Sequence, residues 1–344
     1  MSILQVLGFI VGLFVLYLLI VALVPGISVP RQRLGRAIAS KGEEYKPPRS
    51  RRDVSFDVGG TSLSAWLYLP EDLSTPVPCI VMGNGFGGTK DMLLESYALR
   101  FQQAGLGVLA FDYRHFGESE GEPRQLVWIP YQLQDYAAAV ACARGLERID
   151  PAKIALWGTS ASGGYVIEAA ARDQTVACVV AQCPGLDGRA AALESYRKVG
   201  IKNGLRLIMH GQRDLVRSWL GLSPHKIPIV GRSGTIACMQ IEGAYDGYAR
   251  IASESYVNDV CARITIRGDK YRPVTKAKKV RCPVLLQICE HDELAPVSAA
   301  EKTAKRLGDL AEVRRYPIGH FDIYIGANFE RSVGDQLEFL LKHL

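Results

Sequence analysis

The stretch "KIALWGTSASGGYVIEAAA", residues 153–171, decides the fold. It opens with a short apolar run, continues through small residues that suit a sharp turn, and ends with the composition of a helix. A strand, a tight turn and a helix in immediate succession are typical of a parallel sheet covered by helices. Ser160 lies at the turn, directly after the strand.

Other apolar runs extend this sheet in both directions along the chain. "DVSFDV" and "TSLSAWLYLP" alternate apolar and polar residues around Gly59-Gly60, which predicts a β-hairpin. Helical periodicity is found over residues 131–144 and 299–307, and the C-terminal stretch 329–344 is amphipathic. The runs predicted to be strands after the hairpin are "VPCIVMG", "GVLAFD", "KIALWG", "VACVVAQC", "CPVLLQIC" and "AEVRRYP". The sequence therefore predicts an α/β fold with a mostly parallel, eight-stranded sheet and helices on both faces.

One interval interrupts the alternation of strands and helices. Residues 186–281 separate two apolar runs by about a hundred residues, far more than one crossover helix needs, and a structureless loop of that length is improbable. The interval contains helical stretches such as "RAAALESYRKV" (189–199) and "YARIASESYVNDVCARI" (248–264). We therefore expect a helical lid over 186–281, inserted into a core formed by residues 53–185 and 282–344.

The N-terminal residues form a separate unit. Residues 3–24 carry no charge over 22 positions, and a helix of that length measures about 30 Å, the thickness of a bilayer core. We expect a transmembrane anchor over residues 1–26. A cleaved signal is an alternative, although no basic segment precedes the run and no small-residue cleavage site follows it. A buried hydrophobic helix is the second alternative to a transmembrane anchor.

A basic linker is expected over residues 27–52. Between Arg31 and Arg52, eight Lys and Arg residues stand against two Glu, a net charge of +6 that equals that of the whole chain. Because positive flanks stay in the cytoplasm, we expect a membrane protein whose main domain is cytoplasmic. Basic charge clustered beside a span suggests contact with anionic headgroups or a solvated linker, and not nucleic acid.

The cysteines give no indication of a metal site. Eight cysteines are scattered without metal-ligand spacing, and none forms a C-x-x-C pair. Free thiols in apolar runs suit a reducing compartment, in agreement with the charge distribution. We expect no metal and no organic cofactor.

Ser160 is the candidate nucleophile. Residues 158–162, Gly-Thr-Ser-Ala-Ser, resemble the nucleophile elbow G-x-S-x-G with serine in place of the second glycine. Ser162 is the alternative nucleophile, but it falls inside the predicted helix, whereas Ser160 follows the strand directly. A hydroxyl that merely caps a helix is the purely structural alternative.

Two further polar residues follow predicted strands. "LLQICEHDELAPV" places Asp292 just beyond one strand, and "VRRYPIGHFDIY" places His320 after the next. The carboxyl ends of parallel strands lie at the same edge of a sheet, where open α/β sheets build their sites. Serine, acid, histidine is also the chain order of α/β-hydrolases.

Residues 53–344 thus resemble the α/β-hydrolase superfamily. Specifically, they resemble serine hydrolases with a G-x-S-x-S-G-G elbow and a G-H-F-D-I-Y histidine loop, a group that includes esterases, fermentation–respiration-switch-like hydrolases and polyketide transferases. The chain departs from many relatives at Asn84 (His), Cys289 (Gly) and Ser162 (Gly). The resemblance implies hydrolysis of an ester or thioester, with acyl transfer to a non-water acceptor or peptide hydrolysis as alternatives.

The glycine-rich turn "VMGNGFGGTKD", residues 81–91, admits two interpretations. Its glycines fit the dinucleotide fingerprint G-x-G-x-x-G, and Asp112 follows the next strand as a ribose-binding acid would. The resemblance implies instead that this turn supplies one oxyanion N–H, from Phe86, and that Ala161 supplies the second. The dinucleotide interpretation leaves Asp292 and His320 unexplained.

The expected mechanism is derived from these residue types. Ser160 attacks a carbonyl, His320 accepts its proton, and Asp292 orients the imidazole. We expect a small, hydrophobic acyl substrate, with the lid aromatics as pocket lining or as packing (Trp219, Tyr245, Tyr248 and Tyr256). A non-catalytic membrane scaffold is the third hypothesis, and the sequence does not indicate an oligomeric state.

Overall fold

The computed structural model describes residues 2–23, 34, 48, 50–71 and 75–344. Most of the predicted basic linker, residues 27–52, lies outside the described residues. The elements in chain order are α1 (Ile3–Leu23), β1 (Arg51–Asp57), β2 (Ser62–Tyr68), β3 (Val77–Gly83), α2 (Leu94–Gln103), β4 (Gly107–Phe111), α3 (Ile129–Arg144), β5 (Ile149–Thr159), α4 (Ala161–Arg172), β6 (Cys178–Gln182), α5 (Gly188–Val199), α6 (Ile201–Trp219), β7 (Lys226–Ile227), α7 (Ala244–Ile251), β8 (Val260–Cys261), β9 (Val284–Cys289), α8 (Val297–Leu307), β10 (Ala311–Tyr316) and α9 (Gly326–His343).

Eight of these strands form one sheet in the order β1-β2-β4-β3-β5-β6-β9-β10. The pairs β1–β2 and β2–β4 are antiparallel, and β1 and β2 form the predicted hairpin. All remaining pairs in the sheet are parallel. The predicted mostly parallel eight-stranded sheet is confirmed, and it sets the carboxyl ends of β3, β5, β9 and β10 along one edge.

The central strand β5 shows why both faces of the sheet are covered. Residues 154–159 are all buried, and successive side chains of a strand point to opposite faces. The Trp157 indole donates a hydrogen bond to Gln336 of α9, and the Tyr136 hydroxyl of α3 donates one to the Trp157 carbonyl. Helices α3 and α4 contact each other, as do α2 and α9. The end of β5 is therefore held between two helical layers.

The segment between β6 and β9 contains α5, α6, α7 and the short pair β7–β8. Its ends meet, because the Val274 N–H donates a hydrogen bond of 2.9 Å to the Leu186 carbonyl. The helix expected over 248–264 is wrong beyond Ile251. There the chain becomes extended, and the Asn258 side chain makes two hydrogen bonds of 2.9 Å to the backbone of Val230. These bonds hold the stretch around Asn258 against Val230 in a non-helical conformation.

Helix α1 is a 21-residue apolar helix with the length and hydropathy of a membrane span. Only 6% of its most apolar window is buried, so it is not the core helix of the alternative interpretation. It contacts α6 near its C-terminal end. Length and composition make α1 a candidate membrane anchor or signal sequence.

Candidate active site

Ser160 lies on a strained turn between β5 and α4. Its φ is +53°, in the left-handed region that L-residues rarely adopt. Gly158 allows this turn, because a Cβ there would lie 2.3 Å from the Ser162 carbonyl oxygen. The Ser160 N–H donates to the Gln182 carbonyl of β6 at 2.9 Å, which fixes the turn to the sheet. The hydroxyl consequently stands at the carboxyl edge of the sheet and lines a cavity.

The structure brings Ser160, His320 and Asp292 together. The His320 Nε2 lies 3.1 Å from the Ser160 Oγ, and the Nδ1 lies 2.7 Å from the Asp292 Oδ2. The imidazole and the carboxylate are both almost fully buried. A hydroxyl, an imidazole and a carboxylate linked in this order can move a proton from the hydroxyl to the ring.

The acid loop between β9 and α8 holds both partners of the histidine. The second oxygen of Asp292 accepts hydrogen bonds of 2.8 and 2.6 Å from the N–H groups of Leu294 and Ala295. The Glu293 carboxylate accepts the backbone N–H of His320 at 3.0 Å. The sequence analysis missed this role of Glu293. Its signal was the pair of adjacent acids, Asp292 and Glu293, in "EHDEL".

The surroundings of His320 act on its pKa in opposite directions. Burial lowers the pKa, while the Asp292 carboxylate, beside the ring and hydrogen-bonded to it, raises it. The result is a pKa above the ordinary value of the imidazole. The paired carboxylate therefore favours the imidazolium that forms when the ring takes up a proton.

Phe86 and Ala161 flank Ser160 in the wall of the same cavity. Ala161 is the first residue of α4, where a helix leaves its N–H groups without intrahelical acceptors. Among the described residues, neither the Phe86 N–H nor the Ala161 N–H donates a hydrogen bond. The Tyr248 hydroxyl holds the Phe86 loop by donating a 2.8 Å hydrogen bond to the Phe86 carbonyl. Two backbone donors are thus available beside the serine.

Ser162 lies below the site. Its side chain is fully buried, and its hydroxyl bonds the Tyr113 hydroxyl at 2.6 Å and the carbonyl of Asn84. The Asn84 amide in turn donates to the carbonyls of Thr89 and Met92 at 2.7 and 2.9 Å. The alternative nucleophile is therefore inaccessible, and Ser162 links the elbow to the glycine-rich turn. Asn84 braces that turn from inside.

Asp112 is occupied by a buried ion pair. It accepts from the Lys90 ammonium at 2.8 Å and from the Lys90 N–H at 2.6 Å, and both side chains are almost fully buried. The Glu118 N–H donates to the same carboxylate at 3.0 Å. A carboxylate enclosed in this way is not available to a ribose, so the dinucleotide interpretation of the turn is wrong. Asp112 links the loop that contains Lys90 to the loop that contains Glu118.

The cavity in front of Ser160 has a volume of about 300 Å³ and is lined mainly by apolar residues. The segment between β6 and β9 supplies much of its wall, including Tyr196 of α5 and Leu207 of α6. Aromatic residues line it, but they are not the four considered from the sequence (Trp219, Tyr245, Tyr248 and Tyr256). Within the described ranges, no cluster of three His, Cys, Asp or Glu side chains could hold a metal ion.

The chain is similar to proteins of several names. The family described as X-Pro dipeptidyl-peptidase (S15 family) matches residues 59–217. The quorum-quenching protein AidA of Acinetobacter baumannii is 40% identical over 297 residues, 85% of this chain and 95% of that protein. Thiohydrolase aneE of Aspergillus aculeatus is 42% identical over 133 residues, 38% of this chain and 41% of that protein. Polyketide transferase af380 of Aspergillus fumigatus is 30% identical over 313 residues, 86% and 99% respectively.

A solved structure shares the fold. The alpha/beta hydrolase GrgF from Penicillium sp. sh18 superposes with a TM-score of 0.71 at 24% identity, covering 85% of this chain and 98% of that one. The mostly parallel eight-stranded sheet and the elbow at the end of β5 are those expected from the sequence. The chain covers nearly the whole length of a 40% identical relative and has the fold of a solved alpha/beta hydrolase. The chain therefore belongs to the α/β-hydrolase superfamily.

Proposed function

We propose that this α/β-hydrolase cleaves carboxylic esters or thioesters through an acyl-enzyme on Ser160. The observation that carries the proposal is the continuous hydrogen-bonded chain from Asp292 through His320 to Ser160, which ends in an apolar cavity. A serine hydroxyl is a weak nucleophile until an adjacent base accepts its proton.

The reaction proceeds in two halves. Ser160 attacks the substrate carbonyl as its proton passes to His320, and the N–H groups of Phe86 and Ala161 stabilise the tetrahedral oxyanion. The imidazolium then protonates the leaving alcohol or thiol, and the acyl group stays on the serine. In the second half, His320 takes a proton from water, the hydroxide attacks the acyl carbonyl, and the proton returns to Ser160. Asp292 orients the imidazole in both halves.

The substrate is a small acyl compound with a hydrophobic acyl part. The lining of the cavity, which includes Tyr165, Tyr271 and Leu207, gives an acyl chain apolar contacts and few polar partners. The reacting residues already complete the chemistry, so the mechanism uses no metal or organic cofactor. No nucleic-acid contact enters it.

We also propose that α1 anchors the enzyme in a membrane and that the catalytic domain lies in the cytoplasm. The apolar length of α1 supports a span, and the basic residues between Arg31 and Arg52 favour a cytoplasmic position for the domain beyond them. Eight free cysteines agree with a reducing compartment.

Acyl transfer is a second candidate, because one relative is named a polyketide transferase. The acyl-enzyme is common to both reactions, and only the group that releases it differs. Product analysis with competing alcohols or amines separates them: a new ester or amide as main product indicates transfer. The S15 match makes an aminoacyl-proline amide the appropriate peptidase substrate for the same assay.

Fluorophosphonate labelling tests the proposal. Intact wild-type protein should label, and Ser160→Ala should not. Ser162→Ala is the matched control, since it removes a neighbouring hydroxyl that is buried and bonded, and it should still label. Equal labelling of wild type and Ser160→Ala, or none in folded wild type, would refute the proposal.

A further inference from the structure

Helix α6 carries an apolar stripe on its outer side. Ile201, Leu205 and Met209 recur every four residues and therefore share one side of the helix, where they are 75%, 56% and 67% exposed. Trp219 lies about five turns from Ile201 on the same side and is 62% exposed. No other described part of the chain covers these side chains. Between Met209 and Trp219 this side carries Gln212 and the buried Val216, so the exposed apolar residues stand on both sides of the place where α1 contacts α6. Exposed apolar patches mark interaction sites.

The opposite side of α6 is fixed to the protein. Asp214 is fully buried and accepts hydrogen bonds from the Arg263 guanidinium at 2.6 Å and from the His225 N–H at 2.8 Å. Gly211 packs so closely that a Cβ there would lie 2.4 Å from the Thr265 hydroxyl. The inner side of α6 is thus packed against the protein, and the outer stripe faces away from it.

The end of α1 is attached to the same helix. The Arg213 and Arg217 guanidinium groups donate hydrogen bonds of 3.1 and 2.8 Å to the carbonyls of Val21 and Ala22. These carbonyls belong to the last turn of α1, where a helix leaves its carbonyls without intrahelical donors and its dipole is negative. The Tyr17 hydroxyl also donates to the Gln212 side chain at 2.5 Å. The stripe is therefore held beside the end of the candidate membrane span.

The charge on α6 suits an anionic lipid surface. Lys202 and Arg206 are exposed on the flank of the stripe, and Arg213 and Arg217 follow on the same flank. The only acidic residue of α6 is the buried Asp214. An apolar stripe bordered by cations is typical of helices that lie in the headgroup region of anionic bilayers.

The wall between this surface and the cavity is one helical layer thick. Leu207 lines the cavity from the inner side of α6, two residues from the exposed Leu205. Tyr196 of α5 lines the cavity and is also 39% exposed, and its ring lies against Gly204. The contact between α5 and α6, where the Tyr196 ring meets Gly204, is therefore all that separates the cavity from the apolar surface.

We propose that the outer face of α5–α6 docks on the anionic bilayer that α1 enters, and that the cavity takes its acyl substrate from that bilayer. This docking face comprises Leu193, Tyr196, Ile201, Leu205, Met209 and Trp219. The proposal rests on the proposed function, since it takes Ser160 to cleave an acyl substrate. It adds a second membrane contact and the route by which a lipid-dissolved substrate arrives.

Tryptophan quenching tests the docking without reference to activity. The full chain is reconstituted in phosphatidylcholine vesicles with about a third phosphatidylglycerol and with bromine on the acyl chains. Wild-type emission should be partly quenched, and Trp219→Phe should remove that quenched component, because Trp66 and Trp157 are buried in the core and Trp128 is half-buried. Equal fractional quenching in the two proteins would overturn the docking proposal. If wild type and Trp219→Phe are quenched equally and Leu205→Glu/Met209→Glu also dissociates a dimer, the face binds a second copy of the chain and not the bilayer.

Hydrolysis tests the substrate route. Leu205→Glu/Met209→Glu should lower kcat/KM about tenfold toward a long-chain p-nitrophenyl ester dissolved in the vesicles and leave soluble p-nitrophenyl acetate unchanged. Leu341→Glu, on α9 and 58% exposed, is the matched control and should change neither. Equal activity of the double variant on the vesicle ester, or equal loss on both esters, would overturn the route. Wild-type protein inactive on both esters would refute the proposed function, while the quenching still decides the docking.

Discussion

The cavity has two walls that are built differently. On one side, residues at the carboxyl ends of strands are fixed by backbone hydrogen bonds, as Ser160 is by Gln182 and Asp292 by Leu294 and Ala295. On the other side, α5 and α6 of the inserted segment contribute side chains such as Leu207, which only pack. The sheet wall therefore fixes the reacting groups through the backbone, and bond making depends on such positioning. Under the proposed function, the inserted wall would determine which acyl groups fit.

This contrast predicts two kinds of variant. A change in the sheet wall should slow every substrate by a similar factor, because it acts on the reacting atoms. A change in the inserted wall should alter the ranking of substrates and leave the reaction of the smallest one intact.

The largest effect is expected for Asp292→Asn. The amide cannot stabilise the imidazolium and favours the wrong tautomer, so kcat should fall about 10⁴-fold for short and long esters alike. Steady-state kinetics with active-site titration measures this loss. A loss confined to one chain length would show that Asp292 selects substrates, and the two walls would then not differ as described.

The same variant tests the electrostatics of the site through pH. Only neutral His320 can accept the serine proton, and its raised pKa means that kcat/KM should increase with pH through a midpoint above about 6.5. Asp292→Asn removes the charge that raises the pKa, so the midpoint of the residual activity should move to lower pH. An unchanged midpoint would show that another group controls the profile.

A smaller effect is expected for Asn84→Ala. This change removes the side-chain donor of the Met92 carbonyl, leaves the Thr89 carbonyl only the Met92 N–H, and loosens the turn that carries Phe86. We expect about a 10- to 100-fold loss of kcat, below the cost of deleting an oxyanion donor, and about 1–3 kcal/mol of lost unfolding free energy. Kinetics and denaturant melts on one preparation separate the two losses. Asn84→Asp, which keeps the acceptor for the Gly85 N–H but not the donor, is the matched control and should lose kcat to a similar extent.

Leu207→Trp tests the inserted wall of the cavity. The larger side chain fills part of a cavity of about 300 Å³ from α6. We expect about a tenfold lower kcat/KM for long acyl chains and little change for acetate, because lost apolar burial scales with chain length. A series of p-nitrophenyl esters measures the ranking. Equal losses across the series would mean that α6 also positions the reacting groups.

The smallest effect tests the boundary between the two walls. Tyr248 belongs to the inserted segment, yet its hydroxyl bonds the Phe86 carbonyl of the sheet wall. Tyr248→Phe removes one hydrogen bond, so kcat should fall about fivefold, equally for all chain lengths. A change in ranking without a change in kcat for acetate would place Tyr248 in the cavity wall alone.

The sheet could be predicted from the sequence because its strands are buried on both faces and read as apolar runs. Ser160, Asp292 and His320 could be located because each lies in the loop or turn after such a run. The structure links them in one hydrogen-bonded chain through His320. The part of the inserted segment after Ile251 could not be predicted in this way. Its conformation depends on contacts such as Asn258 with Val230, which join residues far apart in the chain.

The site contacts that were missed are also long-range. Tyr113 and Ser162 meet across the sheet edge, and Tyr248 reaches Phe86 from the inserted segment. Local periodicity reports which face of an element is apolar, but it carries no information on which hydroxyl meets which carbonyl.

The buried hydroxyl of Ser162 has a consequence for recognising such enzymes in genomes. It connects the elbow to the carbonyl of Asn84 and to Tyr113, three positions spread over some eighty residues of chain. Exchanging the serine for the glycine of the usual pattern would leave that carbonyl and the Tyr113 phenol short of a partner, so the residues at 162 and 113 should vary together during evolution. A search pattern that accepts serine here only when tyrosine occupies position 113 would find sequences that a strict G-x-S-x-G filter discards.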